Sequence, residues 1–153
     1  MILAMAADTA TADAAIASVE EQFAIMFAGV KARMRERARA VHPELQPVGY
    51  TILTTLTRSG PTHAGALAEQ LDTDKSIISR QARVLEQLGL LEREPDPADG
   101  RATFLKASAD AVRRVTEVRA QQQALLYEGL RGWDVNDLEQ LSELLARINT
   151  LGR

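Results

Sequence analysis

The chain has 153 residues, of which 46% are hydrophobic, so it is long enough for one domain with a buried core. It contains no cysteine, which excludes a disulfide framework, a cysteine nucleophile, a thiol redox switch and a cysteine-based zinc site, and fits a cytoplasmic protein. The formal net charge of −3 argues against a protein that coats nucleic acid through a global positive field, so any nucleic-acid contact must come from local patches.

A long amphipathic helix is predicted from about residue 12 to residue 41, after a flexible N-terminus at residues 1–11. Its apolar residues recur at intervals of three and four, as one helix face requires; they are Ile16, Val19, Phe23, Met26, Val30 and Met34. Asp8 and Asp13 interrupt the first apolar stretch, so we expect neither a signal peptide nor a membrane span, and no membrane partner. A second helix of roughly a dozen residues follows "HPELQP" and stops at "RSGP".

A tight pair of helices is predicted next, at residues 62–71 and 72–89, with Thr73 or Asp74 as N-cap and Gly89 as C-terminal stop of the second. The second helix carries an apolar stripe formed by Ile77, Ile78, Ala82, Leu85 and Leu88, and on its opposite face lie Lys75, Ser76, Ser79, Arg80 and Arg83. Such a face can be a solvated helix surface. In a helix-turn-helix, however, it suits DNA, because serines approach phosphates and base edges closely and arginine can bind guanine or a phosphate through two hydrogen bonds.

Two strand-like runs, "LLERE" at residues 90–94 and "ATFLK" at residues 102–106, are joined by "PDPADGR" and predict a β-hairpin directly after that helix. An isolated hairpin of this kind would be an ordinary surface turn. Beside a recognition helix it forms a wing, whose tip would carry Arg101 toward the minor groove. Asp99 could then hold the guanidinium group of Arg101 in a fixed orientation.

The C-terminal part is predicted to form two helices. The first follows a cap at Ser108 and is marked by Val112, Val115, Val118, Leu125 and Leu126. After a break in "GWDVND" the last helix carries Leu138, Leu141, Leu145 and Ile148 at helical spacing. The stripe could pack within the monomer. The apolar surface of the terminal helices is large for this chain, however, and favours a two-fold homodimer whose recognition helices lie about one DNA turn apart on a pseudo-palindromic site.

Charge gives a mixed result for DNA binding. Residues 61–106 contain six Lys or Arg and eight Asp or Glu, so this region is net acidic, and a winged-helix module that binds protein instead of DNA stays open as an alternative. A basic run, "KARMRERAR" at residues 31–39, has five positive residues and one negative; it is interpreted as a solvated helix face, with direct contact to phosphates as the alternative. We therefore predict a specific binder of double-stranded DNA with weak nonspecific affinity.

Nothing in the sequence favours an enzyme. His42 and His63 are the only histidines and lack the spacing of metal ligands, so we expect no metal and no cofactor. The motifs of serine hydrolases, P-loop proteins and dinucleotide-binding proteins are absent from the sequence.

The stretch "LAEQLDTDKSIISRQARVLEQLGLLEREPDPADGRATFLKAS" resembles the core of the MarR family of bacterial transcriptional regulators. Asp99 and Arg101 match the Asp-x-Arg pattern of the family's wing, and Ser79 with Arg80 matches a Ser or Thr followed by Arg in its recognition helix. Gly100 departs from the pattern, because many relatives carry a further basic residue there.

The resemblance implies a mainly helical fold with a small β-wing. It places a winged helix-turn-helix DNA-binding domain at residues 46–108, between dimerisation helices at 12–45 and 109–153. It also implies a repressor that a small aromatic or phenolic ligand releases from DNA. The ligand would bind between the two regions, where Met34, Tyr50 and His63 are the candidate contacts, although core packing is an alternative role for Met34 and Tyr50.

Overall fold

Six helices and three short strands make up the part of the chain that the computed structural model describes, residues 2–99 and 102–151. The helices are α1 (Ile2–Val41), α2 (Pro47–Ser59), α3 (Ala64–Gln70), α4 (Lys75–Gln87), α5 (Ala109–Leu130) and α6 (Val135–Ile148). The strands are β1 (Thr62–His63), β2 (Leu91–Pro95) and β3 (Thr103–Ala107). The predicted fold class, mainly helical with a small sheet, is therefore confirmed. No helix in the described part of the chain is long and apolar enough to cross a membrane.

The chain divides into two compact units, residues 1–115 and residues 116–153, and the boundary lies inside α5. Among the described residues, the buried hydrophobic side chains belong to the first unit, with the exception of Val118. Its largest fully buried side chains are Val41, Ile52, Leu53, Leu67, Ile78, Leu85, Leu90, Leu105 and Val115. The second unit contains the rest of α5 and α6, and no residue of α6 is buried.

Helix α1 begins at Ile2, well before the predicted start near residue 12. The early segment is rich in alanine and contains no glycine or proline, so nothing in it stops the helix from extending toward the N-terminus. The flexibility of residues 1–11 stays a prediction. At its other end α1 stops at Val41 as predicted, and the Val41 carbonyl oxygen accepts a hydrogen bond of 3.0 Å from Nη1 of Arg114.

Helices α3 and α4 form the helix-turn-helix. The chain reverses at Asp72, whose φ of 47° lies in the left-handed region that aspartate tolerates better than most residues. Asp74 is the N-cap residue of α4, one of the two predicted, although its side chain makes no capping hydrogen bond. The helix ends before Gly89, which has a φ of 69° and is the predicted stop.

The three strands form an antiparallel sheet in the order β1-β3-β2. Strands β2 and β3 lie one residue later than the predicted 90–94 and 102–106. The reason is that the Leu90 amide donates to the carbonyl oxygen of Leu85 at 2.9 Å, so Leu90 closes the end of α4 instead of starting a strand. The predicted helix at residues 62–71 is also shorter, because Thr62 and His63 pair with Leu105 and Phe104 as β1.

Ser108 joins the end of α4 to the start of α5. Its hydroxyl donates to the Gly89 carbonyl oxygen at 2.9 Å and accepts from the Ala111 amide at 3.2 Å, which confirms the predicted cap. Ser108 is buried, and its bond with the Ala111 amide is buried with it, whereas the bond to Gly89 is partly buried. One hydroxyl thus stabilises two helix ends at once.

We expect the Ser108→Ala variant to lower the free energy of unfolding by about 1 to 2 kcal/mol, because the Gly89 carbonyl oxygen and the N-terminus of α5 each lose a partner. Urea unfolding at fixed protein concentration measures the change. Ser76→Ala removes an exposed hydroxyl from α4 and is the control, with no more than about 0.5 kcal/mol expected. Equal stability of the wild type and Ser108→Ala would contradict this role.

Candidate nucleic-acid interface

Helix α4 has one face in the core and one in solvent. Ile78, Ala82 and Leu85 are completely buried, and they fix the rotation of the helix about its own axis. The opposite face carries the side chains that the sequence singled out: Lys75, Ser76, Arg80 and Arg83 are exposed, and Ser79 is half-buried. The structure therefore brings all five predicted helix residues together on one accessible surface, which we call the α4 face.

The α4 face is cationic and its charges are available. In the described residues, Lys75, Arg80 and Arg83 take part in no ion pair. Lys75 and Ser76 also occupy the first turn of the helix, where the positive end of the helix dipole favours an anion. The face can thus bind phosphates at one end and present guanidinium groups along its length.

An ion pair connects the wing, which comprises β2, β3 and the turn between them, to the recognition helix. Nε of Arg93 lies 2.7 Å from Oε1 of Glu86, and Nη2 of Arg93 lies 3.2 Å from Oε2. Two parallel hydrogen bonds fix direction as well as distance, so the pair holds β2 against the last turn of α4. This pair was not predicted from the sequence. Strand alternation could have found it, because Arg93 lies on the same side of β2 as the buried Leu91.

A second ion pair neutralises another carboxylate of residues 61–106. Nζ of Lys106 lies 2.5 Å from Oε1 of Glu94, across the two wing strands. The hydrogen bond to Glu94 and the charges of Glu94 and Glu92 raise the pKa of Lys106. Two of the carboxylates that make residues 61–106 net acidic are therefore neutralised by ion pairs, Glu86 of α4 by Arg93 and Glu94 of β2 by Lys106.

The turn between the wing strands is organised around Asp96. Its amide donates to the Ala102 carbonyl oxygen at 3.0 Å, and its Oδ1 accepts from the Ala98 amide at 2.7 Å. The Ala98 amide is the main cause that lowers the pKa of Asp96, with His63 adding to the effect. Asp99 is exposed, whereas Gly100 and Arg101 lie outside the described residues, so the predicted Asp99–Arg101 pair stays a prediction.

His63 lies at the base of the wing. Its Nε2 is 3.0 Å from Oδ2 of Asp96, its Nδ1 is 3.1 Å from the carbonyl oxygen of Thr103, and its ring stacks on Phe104 with centroids 4.0 Å apart. Only 13% of the Asp96 side chain is exposed, so the carboxylate that binds His63 is largely shielded from solvent. His63 and Asp96 are 33 positions apart, so no local sequence pattern predicts their contact.

The three candidate ligand contacts all belong to the first unit. Met34 is half-buried on α1, Tyr50 is buried in the core on α2, and His63 is on β1 with its ring held by the wing. Their role as ligand contacts stays a prediction.

Comparison with known proteins identifies related chains. A model of the MarR family matches residues 45–103. The HTH-type transcriptional regulator YxaD of Bacillus subtilis is 33% identical over 106 residues, which cover 69% of this chain and 73% of YxaD. A MarR family protein from Bacillus stearothermophilus has a TM-score of 0.74 at 19% identity, over 90% of this chain and 94% of that chain. Streptococcus pneumoniae FabT in complex with DNA has a TM-score of 0.77 at 12% identity, over 86% of this chain and 92% of the FabT chain.

A double-mutant cycle tests the connection between the wing and α4. We expect Glu86→Gln and Arg93→Gln to be coupled by about 0.5 to 1 kcal/mol in urea unfolding, because the pair is bidentate but about one-third exposed. As the control, Glu92→Gln should be additive with Arg93→Gln within about 0.3 kcal/mol, since neighbouring side chains of a strand point to opposite faces. Additivity of Glu86→Gln with Arg93→Gln would show that the pair does not hold the wing.

Proposed function

Because this chain belongs to the MarR family of winged helix-turn-helix transcriptional regulators, we propose that it is a repressor that binds pseudo-palindromic promoter DNA as a homodimer. A small molecule, aromatic or phenolic, releases it. The family is one of regulators and not of enzymes. The observation that carries the proposal is the α4 face, a row of small hydroxyls and of cations that form no ion pair with any described residue, on a helix whose other side is buried in the core. The repressor acts in the cytoplasm, where it meets its promoter DNA.

The α4 face enters the major groove in this proposal. Arg80 and Arg83 supply planar donors that match the O6 and N7 acceptors of guanine, and Ser79 is short enough to let the helix approach the bases. Lys75 and Ser76 bind the phosphate backbone at the start of the helix. FabT, which shares this fold, is known in complex with DNA, and this supports the same use of the fold here.

The wing enters the adjacent minor groove. Arg101 is the proposed contact, drawn by the concentrated negative potential of a narrow groove, and Asp99 orients it. The bidentate pair of Glu86 and Arg93 supports this role, because it gives the wing a fixed direction relative to α4. The net acidic balance of residues 61–106 keeps nonspecific attraction to DNA low, so specific contacts supply most of the affinity.

A homodimer is the best account of the apolar side chains left in solvent on the terminal helices. On α6, Leu144 is 50% exposed and Leu145 is 42% exposed, and no residue of the helix is buried. Further large apolar side chains are exposed on α1 and α5; they are Ile16, Val19, Ile25, Met26, Phe27, Val30, Leu125, Leu126 and Tyr127. A second copy of the chain would cover such surface and place two α4 faces about one DNA turn apart.

The effector acts by selecting a conformation. The ligand binds more tightly to a form of the dimer in which the two α4 faces are wrongly spaced for DNA than to the DNA-bound form. The affinity for DNA then falls by the ratio of the ligand's affinities for these two forms. Met34, Tyr50 and His63 are the proposed contacts. Because the His63 ring is bound to Asp96, a ligand that displaced this ring would act directly on the turn of the wing.

Arginine substitutions test DNA reading. We expect Arg80→Ala and Arg101→Ala each to weaken binding to DNA from upstream of the protein's own gene by about tenfold or more, since a bidentate base contact contributes about 1 to 3 kcal/mol. Lys75→Ala should instead weaken binding to all sequences and reduce the salt dependence. The control is Arg119→Ala, an exposed arginine of α5. A mobility-shift titration measures all four.

If neither Arg80→Ala nor Arg101→Ala lost affinity, DNA reading by these residues would be wrong. A winged-helix module that binds protein would then be favoured, the alternative that the acidic balance of residues 61–106 supports.

The dimer has its own test. We expect Leu144→Asp to convert the protein into monomers in sedimentation experiments, because a charge at the centre of an apolar interface is left without a partner. Ala146→Asp is the matched control, since it adds the same charge on the other side of α6. Identical sedimentation of Leu144→Asp and the wild type would contradict dimerisation through this face.

A further inference from the structure

The ring of His63 faces a hydrogen-bond acceptor at each of its two nitrogen atoms. Nε2 faces the carboxylate of Asp96 at 3.0 Å and Nδ1 faces the carbonyl oxygen of Thr103 at 3.1 Å. Neither oxygen can donate a hydrogen bond once Asp96 is ionised. We propose that His63 is a positioning residue for the DNA-binding wing, and that uptake of a proton by its ring orders the wing and strengthens DNA binding. This inference rests on the proposed function.

The proton requirement follows from the chemistry of imidazole. The neutral ring has one N–H group, so it can donate to only one of the two oxygens and must present a lone pair to the other. The imidazolium ion has two N–H groups and satisfies both. Its positive charge also faces the π surface of Phe104, whose ring is stacked on His63 at 4.0 Å.

Asp96 transmits the effect to the turn. Oδ2 of Asp96 binds His63, and Oδ1 accepts from the Ala98 amide at 2.7 Å. The next backbone bond of the turn runs from the Ala102 amide to the Asp99 carbonyl oxygen at 2.9 Å. A ring that pulls away from Asp96 therefore loosens the segment that carries the tip. The pKa of Asp96 is lowered, so its carboxylate stays ionised throughout the range in which histidine titrates.

The other charged groups near His63 are carboxylates and one lysine. The strand register places Glu94 of β2 across Phe104 from His63, and Glu94 is paired with Lys106 of β3. The turn contributes Asp96 and the exposed Asp99, and α3 contributes Glu69 only in its last turn. Histidine is the residue type in this set whose charge ordinarily changes near neutral pH.

The chain offers an internal control, because it has two histidines. Nδ1 of His42 accepts a hydrogen bond of 3.2 Å from the Glu44 amide, which requires a lone pair on that nitrogen. His42 therefore has a donor at Nδ1, where His63 has an acceptor. His42→Gln removes one histidine and leaves the wing untouched, whereas His63→Gln keeps a donor near Asp96 but cannot titrate.

The first arm of the test uses the full chain without DNA. Amide exchange by NMR gives protection factors for Ala98 and Ala102 at pH 6 and pH 8. We expect them to fall about three- to fivefold at the higher pH in the wild type and His42→Gln, a modest change because the His63 side chain is 38% exposed. In His63→Gln and in Asp96→Asn the fall should be absent. Asp96→Asn keeps the test decisive if His63→Gln does not fold.

The second arm measures affinity for DNA from upstream of the protein's own gene at the same two pH values. We expect binding by the wild type and His42→Gln to weaken about three- to tenfold from pH 6 to pH 8, with two wings per dimer, and binding by His63→Gln to change less than about twofold. A wild-type pH response in His63→Gln, or none in the wild type, overturns the inference. A response in exchange without one in affinity overturns the role in DNA binding. A protein that binds no DNA at either pH refutes the proposed function, while the exchange arm still tests the wing.

Discussion

Complete burial of one side of α4 is the constraint that organises this protein. With Ile78, Ala82 and Leu85 fixed in the core, the helix cannot rotate about its axis, so the cationic and hydroxyl side chains opposite them must face outward. A surface helix with the same polar residues but without this anchor would present them in many orientations. The rigidity of the α4 face, more than its charge, is what makes it suitable for reading a groove.

The strands of the wing are anchored in the core, and side-chain pairs hold the rest of the wing. Leu91, Leu105 and Ala107 are buried. Glu86 and Arg93 connect β2 to the end of α4, and His63 binds the turn through Asp96. These two pairs are partly exposed and individually weak, so the turn is held less firmly than the strands that carry it.

Much of this architecture could be predicted from sequence, because helical periodicity, Gly89 and the Ser108 cap are local signals. The MarR resemblance, the helix-turn-helix and the wing are confirmed. Local signals could not predict the pairing of distant segments. β1 has two residues and no periodicity, and the contact of His63 with Asp96 spans 33 positions, so the fold alone brings them together.

Other features could have been predicted but were not. Strand alternation could have placed Arg93 toward α4 and Glu92 and Glu94 away from it. The early start of α1 was missed because the apolar pattern there is weak although alanine favours a helix.

The central claim is that two α4 faces read one DNA site as a pair, with a wing beside each. Chemical footprinting on the upstream DNA tests it most directly, using methylation of guanine N7 for the major groove and hydroxyl radicals for the minor groove. If two α4 faces bind together, two major-groove segments about 10 base pairs apart are protected, each flanked by minor-groove protection. A single protected segment, or two segments without the flanking protection, would contradict it.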